Sequence, residues 1–363
     1  MLIGVDANEA NVTKRVGSNQ FAFQVLWQLH QQDKHNSYLI YLQNQPLKDL
    51  PPVNKHWQYQ VLKPSFFWTQ WRLPFSLYFD KPRPDIFLTL GHYAPRFSPL
   101  PTLISIMDLA FLKFPHTFLK RDLLKLKAWT KSSAKKATHI FTISKHTKKD
   151  IQKYYQLPES KITVTYPAID HQTLTPKASS PIKVDYLLYL GTLQPRKNLI
   201  NLVKAFSLLT PSYPKLKLVI AGKKGWLYQS LFNQVNQLKL TKKVIFTDYI
   251  PTTKVPSLIK HAQALILPSF YEGFGIPVVQ AMAIGTPVVV SHNSSLIEIV
   301  GSAGKYIKAP FGPKQIQQGI IEVLSLTQPQ KKQLIIKAKQ TARQFTWQKT
   351  GQTILEVLND ITL

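Results

Sequence analysis

Glu272 stands in PSFYEGFGIPVVQAMAIGTPVVVS, residues 268–291, where a glycine-flanked turn leads into a short apolar helix and then a buried strand. Gly273 and Gly275 leave backbone N–H groups open to close approach, and the carboxylate accepts hydrogen bonds from hydroxyls. Pro277 suits the first position of the helix. A second group, Arg196 and Lys197, lies in YLGTLQPRKNLINLVKAF. There a buried strand, Ala264–Pro268 in the first stretch and the run ending at Gly191 in the second, feeds a polar loop, and Asn198 is positioned to cap a helix with apolar residues at Leu199, Leu202, Val203 and Phe206. A loop entering a helix N-terminus offers unsatisfied N–H groups and the positive end of the dipole, and adjacent cations complete an anion site. That chemistry suits a phosphate or diphosphate, and a carboxylate beside it implies a polyol next to the phosphate. The outline is a sugar nucleotide. Plainer readings stay open: an Arg-Lys pair as ordinary surface, and Glu272 as a carboxylate stabilised only by a helix dipole.

These groups need a scaffold. LIGVDA, YLIYL, YQVLK, DIFLTL, TLISIMD, HIFTIS and ITVTY are β-rich runs separated by helical or loop segments, and YLLYLG, LKLVIAG, VIFTDY, ALILPS and PVVVS repeat the alternation more regularly. Strands alternating with helices predict parallel sheets covered by helices, here two of them. The join is DHQTLTPKASSPIKVD, 170–185, rich in Pro, Ser and Thr. The expected division is 1–175, 176–345 and a final amphipathic helix in 346–363, with ligands in a cleft between the two domains.

Composition narrows the function. A chain of 363 residues exceeds the length at which single cores stop growing, about 250 to 300. Zero cysteines exclude thiolate nucleophiles, disulfides and cysteine-ligated metal. MLIGVDANEA does not read as a signal peptide, and no apolar run reaches the roughly 18 residues that span a bilayer, so a cytoplasmic protein is expected. The net charge of +28 favours polyanions: nucleic acid, an anionic membrane face or phosphorylated small molecules. It is spread over both halves, with 23 basic and 11 acidic residues in 1–175 and 23 and 7 in 176–363. It is densest from Lys113 to Lys153, where 12 basic residues meet only Asp122 and Asp150. Leu119, Leu123, Leu126 and Ala137 mark one helical face there and Lys120, Lys127, Lys131 and Lys135 another, either a solvated face or a surface for anionic lipid.

Taken together, GTLQPRKNL, AGKKGWLYQ, the run from FTDYIP through EGFGIP to PVVVS, and the N-terminal KRVGSNQFAFQVL, APRFSPLP, DLAFLKFP and TISKHTKKDI resemble the retaining GT-B glycosyltransferases of family 4. The resemblance implies an α/β fold of two Rossmann-like domains facing a cleft, an N-terminal acceptor-binding domain, a C-terminal domain for a nucleotide-diphosphate sugar, and a last helix around Trp347 crossing back to the first domain. It implies that Lys197, with Arg196, holds the donor diphosphate and that Glu272 contacts the sugar hydroxyls. Gly191, Gly273, Phe274, Gly275 and Gln280 would line the donor site, and Gly17 would approach the diphosphate or acceptor. Two departures stand out: Gln280 replaces the second glutamate of an E-x7-E pair, and Met107 precedes Asp108 where many relatives carry histidine. Met107 neither donates a hydrogen bond nor relays a proton, which leaves His92, at the end of the preceding strand, to approach the same cleft; the acceptor-side candidates are His92, Met107 and Asp108. The implied activity is transfer of a hexose, mannose first, from a GDP- or UDP-sugar to a glycan or lipid-linked acceptor, with no metal, no other cofactor and no nucleic-acid partner. Contact with an anionic membrane is expected through Lys113–Lys153. A regulatory or impaired homologue, a sugar-nucleotide epimerase and a nucleic-acid-binding protein are the rival readings.

Overall fold

The computed structural model describes residues 1–170, 174–176, 179–180 and 182–361. Part of the expected join at 170–185 and the last two residues of 346–363 therefore lie outside the described residues. The chain divides into two compact units: Met1–Pro115 with Lys120–Pro167 and Thr346–Leu363, and His116–Leu119 with Ala168–Phe345.

In the first unit the order is β1 (Leu2–Asp6), α1 (Ser18–Gln32), β2 (Ser37–Leu42), β3 (Trp57–Val61), α2 (Leu73–Phe79), β4 (Ile86–Thr89), β5 (Thr102–Ile106), α3 (Ala110–Lys113), α4 (Lys120–Lys136), β6 (His139–Thr142), α5 (Lys145–Tyr155) and β7 (Ile162–Val164). The strands form one sheet in the order β3-β2-β1-β4-β5-β6-β7, and every neighbouring pair is parallel. β4 and β5 are buried along their whole length, as continuous apolar runs in a sheet covered on both faces must be.

The second unit continues with β8 (Tyr186–Leu190), α6 (Leu199–Leu209), β9 (Lys217–Ala221), α7 (Gln229–Gln237), β10 (Val244–Phe246), α8 (Val255–Lys260), β11 (Ala264–Leu267), α9 (Ile276–Ile284), β12 (Val288–Ser291), α10 (Leu296–Val300), β13 (Lys305–Ile307), α11 (Pro313–Leu324) and α12 (Gln328–Ala342). Its sheet is also parallel throughout, in the order β10-β9-β8-β11-β12-β13. The last helix, α13 (Trp347–Asp360), belongs to the first unit. There its Trp347 ring lies 6.2 Å from Phe21 of α1, and Thr350 donates a hydrogen bond of 2.6 Å to the Tyr166 carbonyl.

Both sheets reverse direction beside their first strand, between β1 and β4 in one and between β8 and β11 in the other. At such a reversal the loops leaving the two strands diverge to opposite faces and open a crevice at the carboxyl edge, the usual ligand position in open α/β sheets. Each unit therefore presents one such edge.

α4 corrects one expectation. Leu119 precedes the helix, belongs to the second unit and is 44% exposed, so it is no part of the apolar face. The packed side is instead half-buried Leu123 and Leu126 followed by buried Thr130, Ser133 and Ala134. Lys120, Lys127, Lys131 and Lys135 are exposed. Elsewhere in the basic stretch Lys113 pairs with Asp150 at 3.1 Å and Lys148 with Glu159 at 3.1 Å.

Candidate functional site

Arg196 and Lys197 come from the loop that leaves β8, and Glu272 from the loop that leaves β11, so the reversal in the second sheet brings them together. Lys197 Nζ donates to both carboxylate oxygens of Glu272, at 2.6 and 2.8 Å. Arg196 Nη1 lies 3.5 Å from the same carboxylate and donates to the Tyr271 carbonyl. Ser269 Oγ adds a bond of 2.6 Å to Glu272 Oε1. The backbones are joined as well, since the Phe270 N–H donates to the Arg196 carbonyl at 3.0 Å. Two cations against one carboxylate leave the cluster with net positive charge.

Glu272 is 5% exposed. Burial alone would raise its pKa, but Lys197 and Arg196 oppose that, and the hydrogen bonds from Lys197 and Ser269 add to them, so the carboxyl ends below its ordinary value and stays ionised. Burial, with the Glu272 charge adding to it, holds Tyr189 well above the usual phenol range.

Asn198 departs from the expected cap. Its backbone is left-handed at φ 60°, and its amide donates to the carbonyls of Pro268 at 3.0 Å and Phe311 at 2.9 Å rather than closing the first turn of α6. A buried amide that ties the β8 loop to the β11 loop does more than a cap would, because it fixes the spacing of the cations from Glu272. The expected Ala264–Pro268 strand ends at Leu267, and Pro277 is the second residue of α9, which begins at Ile276. Gly273 and Phe274 are buried, Phe274 edge-on to Phe345 at 5.2 Å, and half-buried Gly275 holds the left-handed position before α9 at φ 102°. Gln280 is half-buried in the second turn of α9.

The sequence reading missed the loop after β12. Asn293 donates to the carbonyls of Ser269 and Phe270, at 3.2 and 2.8 Å. Ser294 accepts from the Glu272 N–H at 3.0 Å, and Ser295 donates to the Glu272 and Phe274 carbonyls at 2.9 and 3.3 Å. The signal was present: three polar residues, NSS, directly follow the buried strand PVVVS and its histidine. Gly222 was missed too. At φ 145°, a Cβ there would sit 2.0 Å from the Gly191 carbonyl oxygen, so the loops after β8 and β9 touch backbone to backbone.

In the first unit, Gly17 is the residue before α1, at φ 46°, and a Cβ added to it would meet no atom within 4 Å. His92 follows β4, and its Nδ1 is buried without a hydrogen-bond partner among the described residues. Burial lowers its pKa, while Asp108 and Glu9 pull the other way, and the ring remains neutral at pH 7. Asp6, at the end of β1, carries a carboxyl that burial pushes up to about 6, against bonds from the Asn8 N–H and amide and with the Glu9 charge adding to the rise. Met107 is packed in the core at 6% exposure. Asp108 accepts from the Ala110 N–H at 3.0 Å and so holds the start of α3. The structure thus gathers Asp6, Glu9, His92 and Asp108 at the carboxyl ends of β1, β4 and β5. Among the described residues no three His, Cys, Asp or Glu side chains are grouped to hold a metal ion.

Residues 170–341 match the family model of the glycosyl transferases group 1, and residues 17–173 that of glycosyltransferase family 4. The chain is 31% identical over 229 residues to the O-antigen chain mannosyltransferase B of Escherichia coli, a match covering 59% of each chain. It therefore spans about three fifths of that relative's length. Among solved structures, sucrose-phosphate synthase from Thermosynechococcus elongatus superposes with a TM-score of 0.80 at 16% identity, covering 99% of this chain and 98% of that one. Anabaena HepE, solved in complex with UDP and glucose, gives 0.76 at 16% identity, covering 99% of both. The fold is GT-B, two parallel-sheet Rossmann-like domains.

Proposed function

We propose that this chain, which belongs over residues 17–341 to the group 1 and family 4 glycosyltransferases, transfers a hexose from a nucleotide-diphosphate sugar to a glycan, free or carried on a lipid. Mannose is the first choice of sugar, supported by the O-antigen mannosyltransferase relative, and the donor base is guanine or uracil. The work takes place in the cytoplasm.

The observation that carries the reading is the meeting of Lys197, Arg196 and Glu272 where the second sheet reverses. Cleavage of the sugar–phosphate bond builds negative charge on the diphosphate and oxocarbenium character on the anomeric carbon. Lys197 and Arg196, beside the start of α6, stabilise that leaving group, the part a divalent metal takes in other transferases, and the reaction needs no metal. Glu272 accepts hydrogen bonds from the sugar hydroxyls. The acceptor oxygen attacks from the face the diphosphate leaves, a diphosphate oxygen takes the acceptor proton, and the anomeric configuration is retained.

Thermal stability with a panel of nucleotide sugars tests the donor side, because a ligand at 100 times its Kd stabilises by about 2.7 kcal/mol. One sugar nucleotide should raise the midpoint of the parent and not of Lys197→Ala. A panel with no such ligand removes the reading, and binding without turnover moves it to a regulatory homologue. Turnover abolished by a chelator excludes the metal-free route, and nuclear magnetic resonance of fresh product showing an inverted anomeric centre excludes retention.

A further inference from the structure

Helix α2, LPFSLYF, is apolar on nearly every side, yet its own core uses only one of them. Leu73 and Leu77 are buried in a cluster with Leu39, Tyr41, Trp68 and Phe87. The opposite face is left in solvent: Phe75 is 51% exposed and Phe79 67%. The turn before the helix adds Phe66 at 72% and Trp71 at 60%. A helix that is hydrophobic all round is one that water is not meant to surround on its second side.

The surface continues beyond this segment. Gln70 ties it to the loop after β4, donating to the Ala94 carbonyl at 3.2 Å and accepting from the Arg96 N–H at 2.9 Å. That loop carries Phe97, 64% exposed. The end of α4 joins from the other side, where Lys136 donates to the Arg96 carbonyl at 3.0 Å. Cations border the rings: Arg72 lies 5.7 Å from the Phe75 ring centre, Lys136 5.1 Å and Arg96 5.8 Å from that of Phe97. From Lys63 to Phe79 there is no acidic residue.

We infer that this face rests on a bilayer containing anionic lipid, with Phe66, Trp71, Phe75, Phe79 and Phe97 at the depth of the headgroups and Lys63, Arg96 and Lys136 on the lipid phosphates. Trp favours the membrane–water interface, Phe serves with it on the membrane-facing side of interfacial helices, and clustered Lys and Arg supply attraction to anionic headgroups. An anionic bilayer meets the rings with its interface and the bordering cations with its phosphates, so one occupant complements both features of the face. No helix among the described residues is long and apolar enough to cross a membrane, so attachment through this face is peripheral. Of the basic stretch Lys113–Lys153 expected to meet a membrane, this surface takes in only Lys136, at the end of α4.

The test is co-sedimentation of the full chain with phosphatidylcholine vesicles, plain or with roughly one third phosphatidylglycerol. The parent should bind the anionic vesicles and release in high salt. The triple variant Trp71→Ser, Phe75→Ser, Phe79→Ser, altered only at exposed positions, should bind at least about tenfold more weakly. The charge variant Arg96→Glu, Lys136→Glu should do the same and keeps the rings, so a fold defect in the triple variant leaves the inference testable. Trp71 should also shift its fluorescence to the blue on vesicle addition, read as the parent minus Trp71→Phe. Unchanged binding by both variants overturns the inference, as does loss of binding confined to Lys127→Glu, Lys131→Glu, Lys135→Glu. A concentration-dependent dimer that the triple variant abolishes, with vesicle binding intact, assigns the face to a second copy of the chain and overturns it too.

Discussion

The two sheets reverse in the same way and arm the reversal with opposite charge. Beside β8 and β11 a buried carboxylate is held between two cations, its backbone N–H and carbonyl are both bonded by the loop after β12, and the whole is net positive. Beside β1 and β4 stand Asp6, Glu9 and, one strand further, Asp108, with a neutral imidazole among them. One topology supplies the crevice; side chains alone decide what enters it. The cationic edge suits a diphosphate. The acidic edge repels one and suits hydroxyls.

If the cationic cluster is as interdependent as its bonds indicate, Glu272→Ala should be the most damaging change at either edge. Removing one member of a buried ion pair typically costs roughly 3 to 5 kcal/mol, because the partner charge stays buried and uncompensated. Urea unfolding should show that loss, and nucleotide-sugar stabilisation should vanish with it. The pH dependence sharpens the point. Glu272 is depressed in the folded state, so its stabilisation is complete above the ordinary glutamate pKa and is lost as pH falls through the folded value. Glu272→Gln should therefore be less stable than the parent at neutral pH and should converge on it in acid. A constant difference across pH would show that the pair contributes nothing electrostatic.

Gly222→Ala should come next. The new Cβ meets a backbone carbonyl oxygen, which cannot rotate away, so the β8 and β9 loops must part. A loss of about 2 kcal/mol or more is expected, with weakened donor binding, since Gly191 starts the loop that carries Arg196 and Lys197. Parent-like stability would mean that these loops are slack, and the contrast between a braced and an open edge would fail.

The legible part of this molecule was what local pattern specifies. Apolar runs between turn residues located the strands, because a parallel sheet covered on both faces demands them, and Arg196, Lys197 and Glu272 were visible because strand ends and helix starts flank them. What stayed hidden was whatever depends on residues distant in the chain. Asn198 has the composition of a cap, and only the folded chain reveals Pro268 and Phe311 as the carbonyls its amide reaches. Leu119 fits the helical period of α4 but lies before its first residue, since periodicity does not mark where a helix starts. The aromatic face of α2 stayed hidden for a related reason: a run of apolar residues does not say which of them the core has room for.

At the acidic edge the expected sign is reversed. The Asp6 carboxyl is raised to about 6 by burial, so the folded state holds its proton more tightly than the unfolded chain. Its penalty is absent below about pH 4, grows as pH rises toward 6 and is constant above that. Asp6→Asn should therefore stabilise at pH 7 to 8 by up to about 3 kcal/mol and leave stability at pH 4 unchanged. Stabilisation that persists at pH 4 would trace to packing, and the acidic edge would lose its electrostatic distinction.

Gly17→Ala should have the smallest effect on stability and the most to say about function. A backbone at φ 46° and ψ −108° strains any residue with a Cβ, but the space around that Cβ is empty, so the loss should stay at the low end of roughly 1 to 3 kcal/mol. Gly222, also at positive φ but with a carbonyl in the way, should lose more. The family resemblance implies that Gly17 lets a diphosphate or acceptor approach the backbone. A methyl there should then lower transfer by a larger factor than the stability loss accounts for, while Glu272 and its cations remain intact. If transfer falls only in step with stability, Gly17 serves the start of α1 alone.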